Sequence, residues 1–193
     1  STNGRVFESL TKKFPLGGAM FHPRKYLFRF LFLFSIAVIL YATLYRETGQ
    51  GDIQLQLFWT IKRAWREHSG NHWYLILGNI ALFMPFGFFF TIILRKPDWK
   101  KAAIIGFVFS SVIEVTQVLT DRGLGELDDV LHNTWGSLMG YCAAVILGYL
   151  FGRHSNRYKG KVKGASLFFG ITILAFAILI FYNQPDWNVR LRR

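Results

Sequence analysis

The chain has 193 residues, 52% hydrophobic and 18% aromatic against 18% charged, with a mean hydropathy of +0.27. Its apolar residues are clumped into long runs, which excludes an ordinary soluble domain and points to one helical domain embedded in a membrane. The net charge of +12 raises nucleic acid as a partner, but the Lys and Arg lie in the gaps between apolar runs, as in loops flanking membrane spans, so no nucleic-acid partner is expected. The single cysteine, Cys142, leaves neither an intrachain disulfide nor a cysteine metal site.

Residues 1–26 form a basic lead, expected on the cytoplasmic side. An apolar stretch of about 18 or more residues is a spanning-helix candidate, and the first is Phe28–Tyr45. Its core is too long for a cleaved signal peptide and no small-x-small site precedes Arg46, so a retained signal anchor is expected. The following loop, "GDIQLQLFWTIKRAWREHSG", places Leu57, Phe58, Ile61 and Trp65 at helical spacing among Lys62, Arg63 and Arg66. That pattern predicts an amphipathic helix, either lying in the outer membrane interface or packed over the span ends.

Further spans are expected at Trp73–Leu94, Ala102–Leu119, Leu131–Phe151 and Ala165–Tyr182. The fold class is therefore all-α, a polytopic bundle of about five spanning helices plus one interfacial helix. Pro85 removes a backbone hydrogen bond within the second span and predicts a kink. "RKPDWKK" is a tight turn with Pro97 as breaker, and "FGRHSNRYKGKVKG" is a solvated basic loop able to meet anionic lipid heads. Basic residues number six in the lead, four after span two and five after span four, fifteen in all, against eight in the alternate loops and tail. This asymmetry predicts a multi-pass protein with the N-terminus cytoplasmic and the C-terminus external.

Polar residues then gather toward the outer ends of spans two, three and four. Asn79 falls about 9 Å along span two. Glu114, Gln117 and Asp121 share one stripe of span three, and Asp129, Asn133, Gly136 and Gly140 share one stripe of span four. "GSLMG" is a small-xxx-small pattern that admits a close helix neighbour. Glu114 stands out, because an acid in a membrane helix costs about 2.5–3.5 kcal/mol on insertion scales and so faces a partner or a cavity. It is either ionised against Arg122 or Arg46, or protonated; and it either stitches spans three and four or lines a functional pocket. Asp128 and Asp129 precede a helix, where capping accounts for acids; with Glu114 they are also possible oxygen ligands for a divalent cation. His132 is either an acid–base group or a satisfied interfacial histidine. Ser110 and Ser111 read as intrahelical hydrogen-bonders. No zincin, nucleophile-elbow or P-loop motif occurs.

"GNIALFMPFGF", "SSVIEVTQ" and "ELDDVLHNTWGSLMGY", in that order and spacing, resemble the VanZ-like family of bacterial membrane proteins, as does the first span ending in "ILYATLYR". The likeness runs from about Leu31 to Leu150. It implies a membrane domain of four spans over residues 27–151, followed by a basic loop, a fifth span and an external tail over 152–193. It also implies a place in the bacterial cell envelope and a link to reduced susceptibility to teicoplanin-type glycopeptide antibiotics. By position the family pattern falls on Asn79, Pro85, Gly87, Glu114, Gln117, Asp128, Asp129, Asn133, Gly136 and Gly140, with Arg122 in the place of a basic residue before the acidic pair.

The expected site is thus a polar pocket of Asn79, Glu114, Gln117, Arg122, Asp128, Asp129, His132 and Asn133, shaped by Pro85, Gly87, Gly136 and Gly140. Its expected partners are membrane lipids, with a lipid-linked cell-wall precursor or a glycopeptide as further candidates. No cofactor is expected beyond a possible divalent cation at Glu114, Asp128 and Asp129. Two alternatives stand beside a binding protein: an intramembrane enzyme acting on a lipid-linked or phosphorylated substrate, and an assembly subunit whose polar groups only lock helices.

Overall fold

A computed structural model of the chain describes residues 23–44, 53–94, 96–120, 125–152 and 155–187. Helix α1 (Pro23–Leu44) is followed by a two-residue strand β1 (Ile53–Gln54), a short helix α2 (Trp59–Arg66) and helix α3 (Gly70–Ile93). Then come α4 (Trp99–Leu119), strand β2 (Gly125–Glu126), α5 (Leu127–Phe151), a 3-10 turn (Ser155–Arg157) and α6 (Val162–Asn183). Five of the six described α-helices, all but α2, are long and apolar enough to cross a membrane. The bundle is therefore all-α, as composition and hydropathy require.

Local chemistry sets the helix ends. Ser69 caps α3 by accepting from the His72 N–H, and Asp98, just after Pro97, caps α4 by accepting from the Lys100 N–H at 3.0 Å. Asp128 and Asp129 sit in the first turn of α5, where negative charge suits the positive end of the helix. Helix α3 runs unbroken through Pro85, which lies on an exposed face.

Helices α3 and α5 form the centre of the bundle and share its largest interhelical contact. Glycine makes the approach possible. A Cβ at Gly136 would stand 2.3 Å from the Ile80 carbonyl oxygen, one at Gly140 2.1 Å from that of Met84, and one at Gly87 2.0 Å from that of Ser137. These are backbone atoms that cannot swing aside, so the pair packs main chain against main chain, in the manner of small-residue membrane interfaces.

Around this pair the core falls into three clusters. Ile39 of α1, Phe83 and Phe86 of α3 and Ile113 of α4 form one, with the Phe86 ring 5.2 Å from Phe32 and 5.1 Å from Phe109. Ala64, Trp73, Ile76, Ile80 and Met139 join α2, α3 and α5 in the second, and α6 covers them with Phe168, Phe169, Phe176 and Ile180. Ala102, Tyr141, Cys142, Val145, Tyr158 and Ala165 tie α4, α5 and α6 together near their other ends. The outer faces of α1 and α6 remain apolar and exposed, including Phe30, Leu33, Phe34, Leu167, Ile171 and Leu174. That is the surface a lipid-immersed helix presents.

The alternating helices bring the α1 terminus, β1, α2, β2, the start of α5 and the end of α6 to one end of the bundle. Here β1 pairs with β2 in parallel, Ile53 with Gly125 and Gln54 with Glu126. The α3–α4 and α5–α6 turns occupy the opposite end, where Arg157 reaches the Ile92 carbonyl.

Candidate functional site

The strand-bearing end contains a cleft of about 340 Å³ between the upper half of α4, the first turn of α5 and the β1–β2 pair. Its walls are apolar, with Leu55, Val115, Val118, Leu119, Leu127 and Val130 prominent, and it contains the carboxyl group of Glu114. Glu114 is 8% exposed, and its Oε2 accepts from the backbone N–H of Glu126 at 2.9 Å. That bond anchors β2 to α4. The other oxygen, Oε1, has no hydrogen-bond partner among the described residues. A carboxyl group on an otherwise apolar wall is suited to a molecule that carries a hydrogen-bond donor on a hydrocarbon body.

Asp128 has a different task. It is 3% exposed, and its two oxygens accept from the N–H groups of Phe58 at 2.6 Å and Thr60 at 2.8 Å. Phe58 is the N-cap of α2 and adopts a left-handed conformation, φ 60°. A carboxylate nearly seventy residues downstream thus caps a helix that has no side-chain cap of its own. This fixes α2 over the starts of α3 and α5. Its buried face is Thr60 and Ala64, whereas Leu57, Phe58 and Trp65 are exposed alongside Lys62, Arg63 and Arg66. Arg63 pairs with Glu67 at 2.8 Å and lies 4.9 Å from the Trp59 ring centre.

Below the cleft a polar seam joins α4 to α5. Asn133 Nδ2 donates to Ser110 Oγ at 2.8 Å, and Ser137 Oγ donates to the Ala102 carbonyl at 2.8 Å. Gly106 makes room for Ser137, whose Cβ would lie 2.6 Å from a Cβ at that position. Asn133 Oδ1, His132 Nδ1 and Thr60 Oγ1 are buried without partners among the described residues.

The remaining expected residues lie elsewhere. Gln117 points to α1, donating to the Thr43 carbonyl at 2.9 Å, and so latches the first helix rather than lining the cleft. Asn79 and Asp129 are half-buried on α3 and α5. Arg122, with Asp121 and Arg46, lies outside the described residues. Among the described residues, no group of three or more His, Cys, Asp or Glu is placed to hold a metal ion.

A second polar cluster holds the end of α6. Asn183, 1% exposed, accepts from Trp73 Nε1 at 2.7 Å and donates to the Trp65 carbonyl at 2.8 Å. His68 Nδ1 meets the Asn183 carbonyl. Asp186 closes the cluster by donating its N–H to the His68 carbonyl at 2.8 Å and accepting from the Gly70 N–H at 3.0 Å. His68 and Gln184, both at positive φ, mark the two tight turns involved. Sequence reasoning did not find Thr60, Trp73, Asn183 or the interhelical role of Ser110. The one signal present was Asn183 itself, an amide ending an otherwise apolar run.

Five apolar helices, packed through glycine and stitched by short polar contacts, with a carboxylate-bearing cleft at one end, define a multi-pass helical membrane protein. The VanZ/LLP1 family profile matches residues 26–152, well over half of the chain, which therefore belongs to that family. The matched region covers α1 to α5, the cleft and the seam, and stops before α6. No match is found among curated proteins or solved structures.

Proposed function

We propose that the protein binds a membrane-resident amphiphile in the Glu114 cleft at the outer leaflet of the bacterial cell membrane, and so alters envelope composition or antibiotic access. The carrying observation is the meeting of an apolar cleft of about 340 Å³ with the Glu114 side chain, of whose two carboxyl oxygens only Oε2 is engaged among the described residues. That volume lies within the range of small-molecule sites, about 300–1,000 Å³. The cleft suits an acyl or isoprenoid chain whose hydroxyl, amide or amine head donates to Oε1. Lipid-linked cell-wall precursors belong to this chemical class. Reduced susceptibility to teicoplanin-type glycopeptides is the phenotype that the family points to. Asp128 is committed to α2 through both oxygens, which favours binding over a reading in which it joins Glu114 and Asp129 in catalysis.

The test uses a diazirine-bearing monoacylglycerol in membranes containing the full chain. Adducts are expected on the α4 and α5 peptides containing Val115, Val118 and Leu127. Glu114→Gln retains a carbonyl to accept from Glu126 but lacks the carboxylate, so it should keep the fold and reduce those adducts about tenfold, one charge-assisted hydrogen bond. Adducts spread evenly over α1 and α6, with none at the cleft, would sink the proposal. Expression in a teicoplanin-susceptible host tests the phenotype, with Glu114→Gln as the matched control. The sidedness is open to a direct check because Cys142 is buried. A cysteine introduced at Glu67 should react with a membrane-impermeant maleimide in whole cells, and one at Lys159 should not.

A further inference from the structure

The opposite end of the bundle carries a different chemistry. The two turns there contain four and five basic residues and a single acid, Asp98, which is occupied in capping α4. Lys96, Lys100, Lys101, Lys159, Lys161 and Lys163 are all exposed. Among the described basic residues of these turns Arg157 alone is half-buried, and it is held in place. Its guanidinium lies 5.3 Å from the Tyr158 ring centre, and Nη2 points at the Ile92 carbonyl at 3.4 Å, in the last turn of α3. Tyr158 is buried against Gly148, where a Cβ would come within 2.6 Å of the ring. The glycine therefore lets the aromatic ring lie on α5 and carry Arg157 to the helix ends.

The Arg157 Nε–H is buried with no acceptor among the described residues. A guanidinium donor withdrawn from water without an acceptor is costly, and the missing acceptor is most favourably an anion. An aromatic residue on the neighbouring turn agrees with a lipid source for that anion. Trp99, half-exposed at the start of α4 with Lys100 Nζ 5.8 Å from its ring centre, is the kind of residue that sits at headgroup level.

We propose that Arg157, on its Tyr158–Gly148 platform and on the same end of the bundle as these lysines, is a binding site for the phosphate of an anionic phospholipid headgroup. The guanidinium fork supplies directed donors and the lysines supply the attracting field.

The experiment measures lipid retention by native mass spectrometry of the full chain in micelles doped with equal phosphatidylglycerol and phosphatidylcholine. Wild type should retain phosphatidylglycerol about tenfold over phosphatidylcholine. Arg157→Gln should bring that ratio close to one, Arg157→Lys should leave an intermediate ratio, and Lys159→Gln should lower it about twofold or less. Equal retention of both lipids by wild type overturns the proposal without recourse to any variant. Equal losses in Arg157→Gln and Lys159→Gln, with helical content intact, also overturn it, because diffuse surface charge would then suffice.

Discussion

Replacing Asp128 with Ala removes the carboxylate that accepts from the first backbone N–H groups of α2. Two backbone N–H groups, of Phe58 and Thr60, lose charged acceptors at 2.6 and 2.8 Å. Hydrogen bonds to charged groups contribute about 1.5–3 kcal/mol each. The Phe58 N–H is only partly buried, so water recovers part of its loss, and the sum is about 2–4 kcal/mol. The left-handed Phe58 backbone, φ 60°, adds strain that the carboxylate no longer offsets. The loss should be local, since the glycine-packed α3–α5 pair does not depend on Asp128. Hydrogen–deuterium exchange in detergent reads it directly: amides of residues 58–66 should lose protection by between about thirtyfold and several hundredfold. Amides in α3 around Phe83 and Phe86 should be unaffected. Asp128→Asn, which keeps one acceptor oxygen, should fall about midway. Unchanged exchange across residues 58–66 in Asp128→Ala would refute capping from a distance and leave Asp128 free for some other task.

Further predictions concern the packing and the clamp. Gly136→Ala and Gly140→Ala each drive a methyl into a backbone carbonyl, at 2.3 and 2.1 Å, and should each cost about 1–3 kcal/mol, visible as an earlier thermal unfolding midpoint in detergent. Gly78→Ala and Gly170→Ala, with nothing within 4 Å, should leave the midpoint unmoved or slightly raised; equal effects at all four positions would remove the close-approach argument. Trp73→Phe deletes one donor to Asn183 and should cost about 1–2 kcal/mol, while Asn183→Leu leaves both Trp73 Nε1 and the Trp65 carbonyl unpaired and should cost about 2–4 kcal/mol. If Trp73→Phe proves the more damaging of the two, the amide is not the hub of the cluster.

The spans were legible because membrane burial acts on whole runs of side chains, and a run of apolar residues survives any uncertainty about neighbours. Their ends were less so. Helix α5 begins at Leu127 rather than Leu131, since its first turn holds Asp128 and Asp129; helix α3 begins at Gly70 rather than Trp73, through the polar turn Gly70–His72. Hydropathy marks where the lipid-compatible part starts, and caps mark where the helix starts. At the site, the singular status of Glu114 was readable from the cost of an acid in an apolar helix. What it bonds was not, because the Glu126 N–H reaches it only after the chain folds back. Asp128 read as a cap for its own helix, and local rules offered no way to see that its carboxylate serves α2. Ser110 read as bonding within α4 because serine commonly does so; instead it accepts from Asn133 across the interface.

The placement of α6 follows from where its polar groups are. Most of its length offers apolar side chains to the surroundings, with Ala165, Thr172 and Asn183 its buried residues. In lipid, apolar contact alone gives little preference for a helix neighbour over an acyl chain. Helix α6 is therefore fixed above all at its Asn183 end, against Trp73 and Trp65. This end also secures the turn between α2 and α3, since His68 and Gly70 both bond to the segment after Asn183. A helix outside the family match thus braces one side of α2 while Asp128, inside it, braces the other. Loosening the Asn183 clamp should consequently raise exchange in α2 as well as at the end of α6. Loosening the Asp128 cap should raise it in α2 alone.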